Sequence, residues 1–143
     1  MRVYSYGGVV IWKDKILICH PTNRSGKVTL ESMYWRLPKG GKSDDESPEE
    51  AAIREVFEET GVKCEIISLI GNTTPYKTTK NKRRVTKVAV FYEMQPVTIT
   101  KFIPNREMDE IKWVTFNELP NYLVEREYDI VRQCFEQKKK GFW

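Results

Sequence analysis

The chain has 143 residues, 31% charged and 40% hydrophobic, with a formal net charge of +4. That length and balance suit one domain over 1–143 with a sizeable core, and exclude a disordered or fibrous protein. No apolar run spans a bilayer, no signal-peptide region opens the chain, and Cys19, Cys64 and Cys134 are scattered without disulfide or metal spacing. Together these features predict a cytoplasmic protein with reduced thiols and a mild preference for anionic ligands.

Val3 to Trp12 is β-rich and interrupted by Gly7-Gly8. Lys13-Asp14-Lys15 forms a tight turn and Ile16 to His20 the returning strand of a hairpin. His20 ends that strand before Pro21 and reads as structural or exposed rather than catalytic. Pro21 to Glu31 is a polar surface loop, in which Arg24 and Lys27 face solvent or a substrate phosphate. Met33 to Leu37 returns to strand character, with Tyr34 and Trp35 on alternate sides, one for the core and one for a pocket. Leu37-Pro38-Lys39-Gly40-Gly41-Lys42 is a loop whose glycines permit close approach to a ligand.

A helix follows with both ends marked. Ser47 suits the N-cap, Pro48 the first helical position, and Glu50 completes a Ser-x-x-Glu capping box. Gly61 supplies a left-handed stop. Glu55, Glu58 and Glu59 fall at i, i+3 and i+4 and so share one face. Three like charges there repel, and a hard divalent cation is the natural compensation. Ile53, Val56 and Phe57 are placed opposite, towards a core, and Ala51 and Ala52 beside the acidic face, leaving room for a ligand.

Beyond the helix, Lys63 to Ile70 reads as a strand, Tyr76 to Thr79 as a short strand, and Lys80-Asn81-Lys82 as a hairpin tip. Arg84 to Met94 is a strong alternating strand. Lys77, Lys80, Lys82, Arg83, Arg84 and Lys87 form either a solvated hairpin or a clamp on a long polyphosphate. Lys101 to Met108 is a loop, Ile111 to Val114 a short strand, and Asn117 to Leu119 opens a helical region. Tyr122 to Lys139 is amphipathic, with Leu123, Ile130, Val131, Cys134 and Phe135 for the core. Lys138-Lys139-Lys140 is a solvated end.

The spacing Gly40-x5-Glu46-x7-Arg54-Glu55-Val56-x-Glu58-Glu59-x-Gly61-Val62 resembles the Nudix box at every defined position. Gly7-Gly8-Val9-Val10 likewise resembles the first strand of that family. The resemblance implies an α/β (α+β) fold, a mixed β-sheet sandwiched between α-helices. It also implies Mg²⁺-dependent hydrolysis, with Mn²⁺ as substitute, of a nucleoside diphosphate linked to another group. On that basis Glu58 and Glu59 are the first metal ligands, and Glu55 is a further ligand or the group that takes the water's proton. Arg54 orients a box glutamate, and Glu46 braces the loop or holds a second metal. A backbone carbonyl at Lys39 or Gly40 completes the shell beside Gly41. From a later loop, Glu107 is the first candidate to join the metal and Glu110 the second.

Substrate contacts are expected from Arg36, Lys39, Arg83 and Arg84. Trp35-Arg36-Leu37-Pro38-Lys39-Gly40 resembles the approach to the box in dinucleoside polyphosphate hydrolases, although Gly41-Lys42 stands where Gly-His is expected. A dinucleoside polyphosphate such as diadenosine tetraphosphate is therefore the first substrate choice. Nucleoside triphosphates, diphosphoinositol polyphosphates and RNA 5′ ends stay open, as does a non-catalytic nucleotide- or RNA-binding module. No membrane partner is expected, nucleic acid is the less favoured ligand, and both monomer and homodimer stay open.

Overall fold

The computed structural model describes residues 1–23 and 33–140. Arg24 and Lys27 lie outside the described residues. Seven strands form one mixed sheet: β1 (Arg2–Trp12), β2 (Lys15–Pro21), β3 (Lys39–Gly40), β4 (Val62–Asn72), β5 (Tyr76–Lys80), β6 (Arg83–Ile99) and β7 (Met108–Thr115). Their order is β4-β6-β1-β2-β7, with β3 added to β1 and β5 to β6. Only β1 and β6 run parallel, from Arg2↔Thr86 to Val10↔Met94; the other pairs are antiparallel.

The two predicted hairpin tips close as two-residue turns. Lys13 and Asp14 have φ of 53° and 62°, and Asn81 and Lys82 of 52° and 63°. Paired left-handed residues match the twist of the strands they join.

A helix covers each face of the sheet. Helix α1 (Pro48–Thr60) packs with Val10, Leu17, Val62, Tyr92 and Met94. Helix α2 (Glu125–Lys140), reached through a 3₁₀ segment (Phe116–Asn121), closes the other face over Val9, Ile16, Ile18, Leu37, Ala89 and Phe91. Alternate residues of the central strands thus feed two cores, and apolar burial on both faces supplies the drive to fold.

Four expectations are corrected. β1 runs unbroken through Gly7-Gly8, because the glycines serve close approach there. A Cβ on Gly7 would overlap the Pro38 carbonyl, and one on Gly8 would strike Met94 and Val56. Met33 to Leu37 is not a strand: it touches β2 through the single bridge Cys19↔Arg36, and the two residues that do pair with β1 are Lys39 and Gly40. Lys138 is not simply solvated, since its ammonium lies 2.7 Å from the buried carboxylate of Glu93.

The fourth correction concerns α1, which is turned by about a quarter of a revolution from the predicted facing. Ala51, Ala52, Val56, Glu59 and Thr60 are buried, whereas Phe57 is 46% exposed. The alanines leave no ligand space. They are fully buried, and on the same side Val56 packs against Gly8 of β1, where a Cβ would lie 3.1 Å from it. Thr60 is accommodated because its hydroxyl donates to the Val56 carbonyl at 2.6 Å and accepts from Val62 N–H at 3.2 Å.

Candidate active site

Helix α1 begins and ends with its caps in place. Ser47 Oγ accepts from Glu50 N–H at 3.1 Å, and Glu50 accepts from Ser47 N–H at 2.8 Å. Gly61 stops the helix at φ 76°, its N–H bonded to the Phe57 carbonyl at 2.8 Å. These anchors fix the rotational setting of the carboxylates between them.

Arg54 organises the carboxylates. Its guanidinium donates to Glu46 at 2.6 and 3.0 Å, to Glu55 at 2.7 Å and to Glu58 at 2.9 and 3.2 Å. It also reaches the Gly41 carbonyl at 2.9 Å. Glu46 accepts from Ser43 N–H as well, so the loop before the helix is tied to Arg54 through Glu46. Hydrogen bonds from Arg54 and Ser43 hold the Glu46 carboxyl down to about 2. In this arrangement Arg54 offsets the repulsion on the acidic face.

Glu55 and Glu59 sit deeper. The Glu55 carboxylate lies where a side chain on Gly40 would be, so any larger residue at position 40 would displace that carboxylate. Burial raises the Glu55 pKa against the pull of Arg54, and the charges of Glu58 and Glu107 raise it further. Glu59 is 2% exposed. Burial pushes its pKa up to about 7, opposed by Arg36 and the Lys39 N–H and reinforced by Glu55 and Glu107. Its Oε1 accepts from Lys39 N–H at 3.2 Å and its Oε2 from Arg36 at 3.3 Å.

Glu107, exposed at the end of loop 100–107, thus acts on both Glu55 and Glu59, whereas Glu110 lies in β7 opposite His20. His20 packs on Trp35 at 5.2 Å and meets Asp109 through Nδ1 at 2.8 Å.

Two substrate-contact expectations change. Arg36 spends its guanidinium on Glu59, and the Lys39 ammonium is paired with Glu127 of α2. Both are drawn to buried carboxylates, because an unpaired charge in the interior is costly. The tip residues Arg83 and Arg84 are exposed on the sheet. Val90 lies beside Tyr6, which pairs with Gly40, and Arg84 lies six positions before Val90 on β6. That is about 20 Å of strand.

Glu127 escaped the sequence reading. Its signal was present: it falls four residues after Leu123 and three before Ile130, in the apolar stripe of α2.

The donor set suits a hard cation. Glu55, Glu58, Glu59 and Glu107 and the nearby backbone carbonyls all offer oxygen, and burial, with a smaller contribution from neighbouring carboxylates, raises the pKa values of Glu55 and Glu59. Among the described residues no three His, Cys, Asp or Glu side chains form a ready-made shell. Magnesium, however, binds through one or two carboxylates together with substrate phosphates.

Residues 1–134 match the NUDIX domain family. The chain belongs to the NUDIX family of hydrolases.

An RNA pyrophosphohydrolase of Aeromonas hydrophila is 28% identical to this NUDIX chain, over 89% of the chain and 80% of the relative. RNA pyrophosphohydrolases of Tolumonas auensis and Vibrio cholerae are 36% and 32% identical, over 59% and 68% of the chain. The chain spans 47% of the Tolumonas protein and 57% of the Vibrio one. These relatives carry that name, not that of the dinucleoside polyphosphate branch which residues 35–40 resemble. Among solved structures, a NUDIX hydrolase from Nitrosomonas europaea superposes with a TM-score of 0.76 at 19% identity, covering 96% of this chain and 91% of the other. An ADP-ribose pyrophosphatase from Streptococcus suis gives 0.69 at 22% identity, covering 99% and 95%. These similarities establish the mixed sheet between helices. NUDIX proteins are typically metal-dependent. No helix among the described residues is long and apolar enough to cross a membrane.

Proposed function

We propose that this NUDIX protein is a Mg²⁺-dependent pyrophosphohydrolase acting on the 5′-polyphosphate end of RNA. The likeness to the Aeromonas RNA pyrophosphohydrolase over 89% of the chain carries the substrate choice. The crowding of Glu55, Glu59 and Glu107 supports the reaction class. Glu55, Glu58 and Glu59, with Glu107 and the Gly40 carbonyl, are the residues that would hold the metal. Bound Mg²⁺, or Mn²⁺ in its place, supplies charge neutralisation on phosphate and an acidified water. Arg54 orients Glu55 and Glu58. Glu55 is the group assigned to take the water's proton, being partly buried beside Gly40 with its pKa raised into a more basic range.

The basic tip of β5–β6 fits this substrate. A contact about 20 Å along β6 from the level of Gly40 is beyond a mononucleotide but within reach of the phosphates downstream of an RNA 5′ end. A second reading, diadenosine tetraphosphate or a similar dinucleotide, is favoured by the sequence of loop 35–40. Phosphate and pyrophosphate release should be measured with Mg²⁺ on 5′-triphosphorylated RNA, diadenosine tetraphosphate, nucleoside triphosphates, diphosphoinositols and ADP-ribose. The expected result is fastest turnover of the RNA, abolished by chelator. Faster turnover of diadenosine tetraphosphate would establish the second reading. Metal binding without turnover of any of them would leave a binding module.

A further inference from the structure

Glu127 stands outside the box, yet both of its oxygens point at the loop that leads into it. The residue is 1% exposed. Its Oε1 accepts from Leu37 N–H at 2.8 Å, and its Oε2 takes the Lys39 ammonium. From the opposite face of the sheet, Glu59 accepts from Lys39 N–H at 3.2 Å. Between these grips, the Pro38 carbonyl accepts from Gly8 N–H at 3.2 Å, and Lys39 and Gly40 pair with β1. The next peptide meets Arg54 through the Gly41 carbonyl at 2.9 Å. Residues 37–41 are thus held from α1, from α2 and from the sheet.

We infer that Glu127 is a positioning residue for hydrolysis: it fixes loop 37–41 and thereby sets the Gly40 backbone against Glu55. Among the described residues its carboxylate reaches the site through Leu37 and Lys39, so it acts through the loop. Stability alone is a poor reason for such a pair. A buried ion pair is often replaceable by apolar side chains without loss, while removing one partner strands the other charge. What the pair adds is direction, since a carboxylate that takes donors from Leu37 and from Lys39, two residues further on, restricts the setting of the peptide between them. Groups that orient a metal site's ligands typically cost 10–100-fold in affinity or activity when removed. The inference rests on metal-dependent hydrolysis at the box and is independent of which substrate is cleaved.

The test uses the full chain as wild type, Glu127→Gln, and the apolar pair Glu127→Leu with Lys39→Met. Three quantities are read: melting temperature, Mn²⁺ affinity of the substrate-free protein by electron paramagnetic resonance titration, and kcat and KM on the best substrate found. Glu127→Gln should fold, bind Mn²⁺ about fivefold or more weakly, and lose about tenfold or more in kcat with KM within about twofold. The apolar pair should recover the melting temperature without recovering Mn²⁺ affinity or kcat. The inference is overturned if Glu127→Gln lowers only the melting temperature, or if the apolar pair restores kcat. A wild type that binds Mn²⁺ but cleaves nothing overturns the proposed function instead, and the Mn²⁺ comparison still decides the role of Glu127.

Discussion

Arg54 carries one positive charge and faces Glu46, Glu55 and Glu58. A cation entering beside Glu58 would therefore compete with a guanidinium, and substrate phosphates would tip that competition by adding oxygen ligands. Glu58, half-exposed and held among the described residues only by Arg54, is the carboxylate freest to change partner. Glu58→Gln should lower kcat by at least about a hundredfold, as for removal of one strong electrostatic contributor. Steady-state rates in saturating Mg²⁺ check this, and near-normal turnover would remove Glu58 from the site. Glu59 calls for a different measurement. Its folded pKa of about 7 lies above the ordinary value of 4.5. Its contribution to stability is therefore full at pH values below the unfolded pKa and is lost as pH rises towards 7. Glutamine stays neutral throughout. Metal-free Glu59→Gln should gain on wild type between pH 5 and pH 8 by on the order of 2 kcal/mol. Urea melts at the two pH values, with chelator present, measure that gain; an unchanged difference would show that burial does not raise the Glu59 pKa above its unfolded value.

Helix α1 shows what its sequence announces and what it hides. The caps were legible, because Ser47, Pro48, Glu50 and Gly61 act through local geometry. The acidic cluster was legible as well, because Nudix-box spacing is a local pattern. The buried face was not. Phe57 is more apolar than Ala51 or Ala52, yet the alanines are buried and Phe57 is exposed, and the helix meets β1 through Val56 at Gly8, a contact the local sequence does not announce. Glu127 was hidden for a similar reason, since its partners lie about 90 residues earlier. The strands were legible from alternation, except where β3 is only two residues long and is defined by contact with β1. The facing of α1 gives a direct prediction. Phe57→Ala should cost less than about 1 kcal/mol, as for a surface change. Val56→Ala, at a fully buried position, should cost about 1–3 kcal/mol. Chemical denaturation of both variants ranks them, and the reverse order would return the helix to its predicted facing.

Across the whole molecule, chemistry and charge are separated along β6. One stretch lies beside β1 near the box loop, and the other carries Arg83 and Arg84 out to the tip. Arg83→Ala with Arg84→Ala should raise KM for a long RNA substrate about threefold or more with little change in kcat, as expected for loss of uniform binding. The loss should shrink at high salt, because exposed charges are screened. ADP-ribose, if turned over, should be unaffected. Kinetics on both substrates at two ionic strengths decide this, and equal losses for both would make the tip a solvated turn.

The parallel pairing of β1 with β6 also governs when the protein comes to exist. Thr86 is made 84 residues after its partner Arg2. At about 5–20 residues per second, a ribosome needs roughly 4–17 seconds to cover that interval. Throughout it, β1 has the β2 hairpin on one edge and nothing to pair with on the other. The acidic helix is synthesised early but has no completed sheet to rest on. Such non-local pairing also favours folding in milliseconds to seconds rather than microseconds. A nascent chain halted before Thr86 already contains the entire box, yet it lacks the strand that completes the floor of its active site.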